Sequence, residues 1–299
     1  MNTTPRKQLI AAAVTPMYAN GDINLSAIDA YARFLIERKV SGVFVCGTTG
    51  EGLLMDNAER KAEAEAWMPY ADKLRIMVHV GSTSYKLSMD LAEHAEKIGA
   101  HAISAMGPCF LQPSRPEELV AFNRKIASSA PNTPYYFYNI PATSGCKVDM
   151  VEFLKLAKTE IPTLAGIKYT SFNTMEEQEI IALDNGHFDI LHGHDECFLT
   201  GLMLGANGGI GTSYNLTSKL YNQLIDAFEA GEYDKAKDLQ LEAIRFVHLM
   251  CDCSNAISGI KSMLNIFGID CGPCRLPLRN LSKEEMKALE EGMKEFSWI

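Results

Sequence analysis

The sequence predicts an α/β barrel in which each of eight parallel strands is followed by a helix. Short runs of β-branched and small apolar residues alternate with longer amphipathic segments, and this unit repeats eight times before residue 230. Strands that are apolar along their whole length are typical of parallel sheets covered on both faces. A chain of 299 residues is also long enough to form such a barrel as one domain. Together these observations predict a TIM (β/α)₈ barrel with a C-terminal helical extension.

The predicted strands and helices follow one another in strict alternation until the last quarter of the chain. The strands cover 9–14, 42–46, 75–80, 102–105, 134–138, 164–168, 189–192 and 208–211. The helices that follow them cover 25–39, 57–70, 86–98, 116–129, 150–159, 174–183, 196–204 and 217–230. Three further helices are predicted over 233–250, 255–267 and 283–296. We therefore predict a barrel at 1–230 and a helical extension at 231–299, packed together as one structural unit.

The composition argues against several classes of function. With 37 acidic residues against 28 basic ones, the net charge is −9, which disfavours a nucleic-acid or anionic-membrane partner. No apolar run approaches the roughly 20 residues of a membrane span. The first residues, MNTTPRKQ, also have no signal-peptide core, so we expect a cytoplasmic protein. Eight cysteines in such a protein are expected to be free thiols.

In a barrel of this kind the chemistry takes place at the C-terminal ends of the strands, in the loops that lead into the helices. The polar residues of this sequence are concentrated there. Five strands end in or are followed by 47–51 (GTTGE), 138–139 (YN), 168–171 (KYTS), 193–196 (GHDE) and 211–215 (GTSYN). We therefore expect all five segments to face one mouth.

Lys168 and Tyr138 end neighbouring predicted strands and form the candidate catalytic pair. Lysine is seldom buried without a reason, and an apolar setting disfavours its charged form, which leaves the amine free to attack a carbonyl. The pattern therefore indicates a Schiff-base lysine, although a strand-end lysine that extends into solvent also fits it. The phenol of Tyr138 is placed to move protons while a carbinolamine forms and collapses.

Two other segments have the chemistry of a binding site. The hydroxyls of Thr48 and Thr49, flanked by glycines, are suited to hold a carboxylate together with backbone N–H groups, or to cap the following helix. Asp195 and Glu196 are acceptors suited to the hydroxyls of a polyol, or acidic residues that complement the dipole of a helix N-terminus. The residues alone leave both pairs of alternatives open.

The cysteines and histidines match metal or redox motifs only in part. The C-x-C segment at 251–253 has the wrong spacing for a zinc knuckle, and the C-G-P-C segment at 271–274 lies in a loop outside any βαβ unit. His192 and His194 are two residues apart and have no third ligand near them in the sequence. We therefore predict neither a metal site nor a redox function from these residues.

Three of the polar segments resemble the motifs of one family, and the resemblance covers essentially the whole chain. GTTGE at 47–51, YNIP at 138–141 and GIK at 166–168 are similar to motifs of the pyruvate-dependent class I aldolases of the N-acetylneuraminate lyase and dihydrodipicolinate synthase family. The spacing of three separate motifs makes the resemblance specific. It implies the same barrel fold that the periodicity predicts.

The resemblance also implies roles for individual residues. Lys168 would form a Schiff base with pyruvate, and Tyr138 would transfer protons. Thr48 and Thr49 would bind the pyruvate carboxylate, without a metal or an organic cofactor. Members are usually homotetramers, so the expected partners are a small-molecule substrate and other copies of the chain.

Within this family, the loop after strand five resembles the sialic acid lyases more than the synthases of the lysine pathway. The synthases carry an arginine, which meets the carboxylate of the second substrate, where this chain has Thr143. The segments after strands seven and eight also resemble the lyases. By this resemblance the remaining substrate-binding residues are Thr170, Gly193, Asp195, Glu196, Gly211 and Thr212.

The activity that the resemblance implies is cleavage of N-acetylneuraminate to N-acetylmannosamine and pyruvate. Two alternatives stay open from the sequence: another pyruvate-dependent aldolase or synthase of the same family, and a non-catalytic sensor of sugar acids. One segment departs from many bacterial members, which place a tyrosine after strand four that reaches the neighbouring subunit. This chain has Cys109, Phe110 and Leu111 there, closer to the vertebrate-type lyases.

Overall fold

The computed structural model describes residues 7–299, and its eight parallel strands form a closed barrel in chain order. The strands are β1 (Gln8–Ala12), β2 (Gly42–Val45), β3 (Arg75–His79), β4 (Ala102–Met106), β5 (Tyr135–Asn139), β6 (Leu164–Tyr169), β7 (Asp189–His192) and β8 (Gly208–Gly211). β8 pairs with β1, so the sheet has no free edge. The predicted fold class is confirmed, and each strand begins and ends within two residues of its predicted bounds.

Helices cover the outside of the barrel and continue after its last strand. They are α1 (Ile28–Glu37), α2 (Asn57–Trp67), α3 (Tyr85–Lys97), α4 (Pro116–Ala127), α5 (Pro141–Ser144), α6 (Met150–Glu160), α7 (Thr174–Ala182), α8 (Phe198–Leu204), α9 (Tyr214–Glu229), α10 (Tyr233–Asp252), α11 (Ala256–Ile266) and α12 (Lys283–Met293). The one-turn helix α5 was not predicted. Its signals are Pro141, whose fixed φ suits a first helical position, and Gly145, which ends the turn at a φ of 74°.

Alternate residues of each strand face two separate cores. The interior of the barrel holds residues such as Phe44, Met77 and Tyr136, whereas the second core lies between the strands and the helices. Tyr136 fills the barrel interior. Phe137, the next residue of β5, faces outward and packs on Phe153 of α6, because neighbouring residues of a strand point to opposite faces.

The N-terminal end of the barrel is closed by a polar cluster. Arg75 donates to the Tyr136 hydroxyl at 2.6 Å, and that hydroxyl donates to the Asp189 carboxylate at 2.6 Å. Arg75 also lies 3.6 Å from the same carboxylate and donates to Gln8 of β1 at 2.8 Å. Side chains of four strands therefore form a floor, and the open end of the barrel is the end at which the polar loops lie.

The C-terminal helices are tied to the barrel by a buried ion pair. Lys261 of α11 lies 2.6 Å from Glu51, and both side chains are almost fully buried. The second oxygen of Glu51 accepts from the backbone N–H of Arg275, and Lys261 also donates to the carbonyl of Pro273. We keep the division of the chain at residue 230, between α9 and α10, as a proposal.

Two expectations drawn from the composition concern the cysteines and the possibility of a membrane-spanning helix. All eight cysteines are free thiols, as predicted. Within residues 7–299, none of the helices combines the length and the apolar character that crossing a membrane would require.

Replacing Lys261 by Met should destabilise the protein strongly, because it leaves the Glu51 carboxylate buried without its cation. Loss of one partner of a buried pair costs about 3–5 kcal/mol of unfolding free energy, which urea titration followed by circular dichroism would measure. The matched control is Lys61→Met, which removes an ion pair to Asp90 at the surface and should cost less than about 1 kcal/mol. Equal losses for the two variants would contradict this account.

Candidate active site

Lys168 lies inside the mouth of the barrel and is only 4% exposed. It is one residue from the C-terminal end of β6 and pairs in register with Tyr138 of β5 and Leu191 of β7, which share its side of the sheet. Its Nζ lies 4.1 Å from the centroid of the Tyr138 ring and 4.5 Å from that of Phe44. The lysine is therefore enclosed by aromatic faces, and the alternative of a chain that extends into solvent is wrong.

Tyr138 connects the lysine to the loop after β2. Its ring faces the Lys168 amine, and its hydroxyl lies 3.3 Å from Thr48 Oγ1, where either oxygen is able to donate. A phenol and an alcohol that share a hydrogen bond provide a short route for a proton. The structure thus brings a buried amine, a phenol and an alcohol together in one line of contacts.

The loop after β2 joins the first and last parts of the barrel. Thr49 is buried, and its hydroxyl lies 2.7 Å from that of Thr212 in the loop after β8. The residue that caps α2 is Asp56, whose side chain accepts from the backbone of Glu59. Capping of that helix by Thr48 or Thr49 is therefore wrong, which leaves their hydroxyls available to the mouth.

Asp195 connects the loops that follow β7 and β8. It is 6% exposed, and its carboxylate accepts from the backbone N–H of Ser213 at 2.6 Å. A Cβ at Gly211 would lie 2.4 Å from this carboxylate, so only glycine leaves room for it. Burial, together with the neighbouring charge of Glu196, raises the pKa of Asp195 above its usual value.

Glu196 has a different environment from the residue before it. Burial acts to raise its pKa, but hydrogen bonds from His194 and from its own backbone outweigh burial, so the pKa lies below the usual value. His194 Nδ1 is 3.1 Å from the Glu196 carboxylate, and the imidazole stacks on the exposed ring of Phe172 at 3.9 Å. Two adjacent carboxyl groups therefore differ in their readiness to ionise.

Thr170 and Gly193 meet where β6 and β7 end. The Gly193 N–H donates to the carbonyl of Tyr169, and the Thr170 N–H donates to that of Asn139, so the sheet pairing continues past the strands. A Cβ at Gly193 would lie 1.9 Å from Thr170 Oγ1. That hydroxyl is buried and has no hydrogen-bond partner among the described residues. It is a polar atom available to a ligand.

A cavity of about 190 Å³ opens beside Thr48. Thr143 lines it, in the loop where the synthases carry an arginine, and so does Cys109 of the loop after β4. The two residues that follow, Phe110 and Leu111, are exposed by 92% and 79%, and Phe110 has a φ of 68°. The cavity is bounded mainly by apolar groups, and the segment beyond Cys109 carries two large apolar side chains on the surface.

The residues that the sequence nominated lie at the C-terminal ends of the strands or in the loops that follow them. They are Lys168, Tyr138, Thr48, Thr49, Thr170, Gly193, Asp195, Glu196, Gly211 and Thr212. Contacts join Lys168 to Tyr138, Tyr138 to Thr48, and Thr49 to Thr212, whereas Glu196 contacts His194. Sequence reasoning missed Phe44 and His79, which also border this group. His79 is a polar residue at the end of a strand, so the rule that found the other loops would have found it as well.

The closed ring of eight parallel strands with helices around it places the protein among the TIM barrels, here with a buried lysine beside a tyrosine at the C-terminal mouth. The chain belongs to the Dihydrodipicolinate synthetase family, whose model matches residues 5–296. It is 36% identical to the N-acetylneuraminate lyase of Homo sapiens over 99% of this chain and 95% of that one.

The structure is also similar to solved structures of proteins with related names. The N-acetylneuraminate lyase of Proteus mirabilis superposes with a TM-score of 0.94 at 35% identity and covers 98% of this chain and 99% of that chain. A catalytic lysine mutant of the Ruminococcus gnavus sialic acid aldolase superposes with a TM-score of 0.92 at 29% identity, with 98% and 96% covered.

Proposed function

We propose that this protein is a carbon–carbon lyase, a class I aldolase that cleaves N-acetylneuraminate to N-acetylmannosamine and pyruvate. The observation that carries the proposal is the Lys168 amine, buried inside the barrel mouth against the Tyr138 ring. The similarity to proteins named N-acetylneuraminate lyase over nearly the whole chain supports the choice of substrate. One of the similar structures is a variant of a residue that its title calls the catalytic lysine.

The reaction begins with attack of Lys168 Nζ on the C2 ketone of the open-chain sugar acid. The amine nitrogen passes one of its protons to the C2 oxygen to give a carbinolamine, and a second proton then lets this oxygen leave as water, which yields a protonated imine between C2 and Nζ. Tyr138 is the group that moves these protons, because its ring lies against the amine and its hydroxyl is hydrogen-bonded to Thr48. Burial of the amine keeps competing water away from the imine.

The imine then serves as the electron sink for cleavage. The C4 hydroxyl loses its proton, the C3–C4 bond breaks, and N-acetylmannosamine leaves as the aldehyde while the electron pair passes through C3 to the imine nitrogen. The resulting enamine is protonated at C3, and water releases pyruvate from Lys168. The covalent imine supplies the activation, so the reaction as written uses neither a metal nor an organic cofactor.

The remaining residues would hold the substrate. We assign Thr48 and Thr49, with nearby backbone N–H groups, to the carboxylate. The polyol tail and the region around the carboxylate are assigned to the groups that follow β6, β7 and β8, of which Thr212 lies beside Thr49. These groups are Thr170, Gly193, Asp195, Glu196, Gly211 and Thr212. The ionised Glu196 is a strong acceptor for hydroxyl groups, and the free hydroxyl of Thr170 supplies a further partner.

Thr143 favours the lyase over a synthase with an acidic second substrate. It lines the cavity beside Thr48 and carries no charge. A second carboxylate bound there would lose water and gain no cationic partner from this residue, which is unfavourable in a partly buried site.

Trapping with borohydride tests the reaction and its nucleophile together. With N-acetylneuraminate as the carbonyl compound, we expect release of N-acetylmannosamine and a reduced pyruvyl adduct that peptide mass mapping finds on Lys168. Lys168→Ala should abolish both signals and remain folded, whereas the surface control Lys155→Ala should retain both. Trapping by added pyruvate alone would mean that the sugar is wrong. Trapping by neither compound would refute the Schiff-base role.

Replacing Tyr138 by Phe removes the hydroxyl and keeps the ring beside Lys168. We expect kcat for cleavage to fall by about 100-fold to 10,000-fold, because proton transfer loses its carrier. The control is Tyr136→Phe, two residues earlier on the same strand, whose hydroxyl belongs to the floor of the barrel. That variant should lose stability but keep most of its kcat; equal losses of kcat would contradict the role of Tyr138.

A homotetramer remains part of the proposal. The exposed side chains of Phe110 and Leu111 support association of chains, because large apolar groups on a surface are commonly covered by a partner. Sedimentation equilibrium should return four times the 33.0 kDa of one chain. A mass equal to one chain at micromolar concentration would exclude the tetramer without affecting the proposed reaction.

A further inference from the structure

His79 stands at the centre of the mouth and has no role in the reaction as described so far. It ends β3, is 2% exposed and shares the barrel interior with Tyr138. The two rings meet edge to face, with their centroids 5.8 Å apart and their planes at 90°. Phe44 lies 5.9 Å from His79 and 5.6 Å from Tyr138, so the three rings form one cluster beneath Lys168. The orientation of the Tyr138 ring therefore depends on the His79 ring.

The other contact of His79 is with the loop that carries Thr48. Its Nδ1 lies 3.1 Å from the carbonyl oxygen of Cys46. Arg60 Nη2, which only donates, also lies 3.4 Å from Nδ1, whereas the Cys46 carbonyl only accepts. The carbonyl contact is the shorter one, and Nη2 already donates to the His79 carbonyl at 2.6 Å, so we assign the proton to Nδ1 as donor to Cys46. Cys46 directly precedes Gly47 and Thr48 and has a φ of 58°, which is an unfavourable region for a side chain of this kind. The hydrogen bond from His79 helps to hold the loop in this conformation.

Arg60 of α2 keeps the imidazole in place and neutral. It donates to the carbonyl of His79 at 2.6 Å and to that of Gly81 at 3.0 Å. Burial, and then the charge of Arg60, hold the pKa of His79 well below its usual value, and the charge of Lys168 acts in the same direction. The ring therefore carries its single proton on Nδ1, and it faces the cavity beside Thr48 without a charge of its own.

We propose that His79 is a positioning residue of the active site, which orients the Tyr138 ring through its edge and the carboxylate-binding loop through Nδ1. The two contacts act on different parts of the reaction. The loop contact governs binding of the pyruvate carboxylate, and the ring contact governs proton transfer. This inference rests on the function proposed above, since it assigns His79 to the same reaction.

Two substitutions separate the two contacts. His79→Phe keeps a ring against Tyr138 but loses the donor to Cys46. His79→Asn places an amide N–H near the position of Nδ1 but has no ring. We expect the first variant to raise the half-saturating concentration of pyruvate in borohydride trapping by about tenfold, with kcat nearly unchanged. The second should lower kcat for cleavage by about tenfold, with pyruvate binding nearly unchanged.

The kinetic constants are calculated per molecule whose Lys168 is trapped by borohydride. Molecules that have not folded therefore do not lower the apparent kcat. The control is His192→Asn, which alters another buried histidine at a strand end; its Nδ1 bonds Glu177 on the outer side of the barrel, and both kinetic constants should stay as in the parent protein. If His79→Phe does not fold, His79→Gln is compared with His79→Asn. Both lack the ring, but only the Asn amide reaches the position of Nδ1, so weaker pyruvate binding in the Gln variant than in the Asn variant would isolate the contact with Cys46.

Weaker pyruvate binding in His79→Phe together with a lower kcat in His79→Asn would establish both contacts. Identical defects, or a loss of stability with unchanged pyruvate binding and kcat, would overturn the proposal and leave His79 as a packing residue. A wrong sugar substrate gives a different result, because the parent protein would then release no N-acetylmannosamine while pyruvate still trapped Lys168.

Discussion

Closure of the sheet between β8 and β1 is the constraint on which the rest of the structure depends. Eight parallel strands in a closed ring must end at one mouth, so residues that are far apart in the sequence become neighbours there. The hydrogen bond between Thr49 and Thr212 is an example, because the two loops meet only where the ring closes. The polar floor around Arg75 fills the opposite end, and a substrate therefore approaches Lys168 from the mouth.

The conformation of the loops at the mouth depends on the C-terminal helices as well as on the barrel. These helices contact the loops at two places. Lys261 pairs with Glu51, whose φ of 55° ends the loop that holds Thr48 and Thr49. Gln240 of α10 donates to the backbone carbonyl of Asp195 in the loop after β7. The extension thus stabilises both sides of the mouth, which gives a physical reason for its close packing on the barrel.

The sequence was sufficient for the strand order, which follows from the pattern of apolar runs, whereas the roles of the nominated site residues remain predictions. Apolar runs indicate buried strands, and the polar residues that follow those runs indicate which segments lie at the mouth of the barrel. It was insufficient for contacts between distant segments. Nothing local in the sequence pairs Glu51 with Lys261, 210 positions away. His79 was missed for another reason: it lies inside the run predicted as a strand at 75–80, and the polar segment that follows, 81–84 (GSTS), was not among the five segments singled out.

The site separates Lys168 from the acidic side chains at the mouth. The amine lies over the faces of Phe44 and Tyr138, and no ion pair to it is found within residues 7–299. His79, which borders the same rings, has a pKa held well below its usual value by burial and by the charge of Arg60, so it stays neutral. The carboxyl group of Asp195 is engaged by the backbone N–H of Ser213 in the loop after β8. Lys168 therefore has aromatic neighbours, whereas the buried carboxyl group of the mouth is held by the backbone of a different loop.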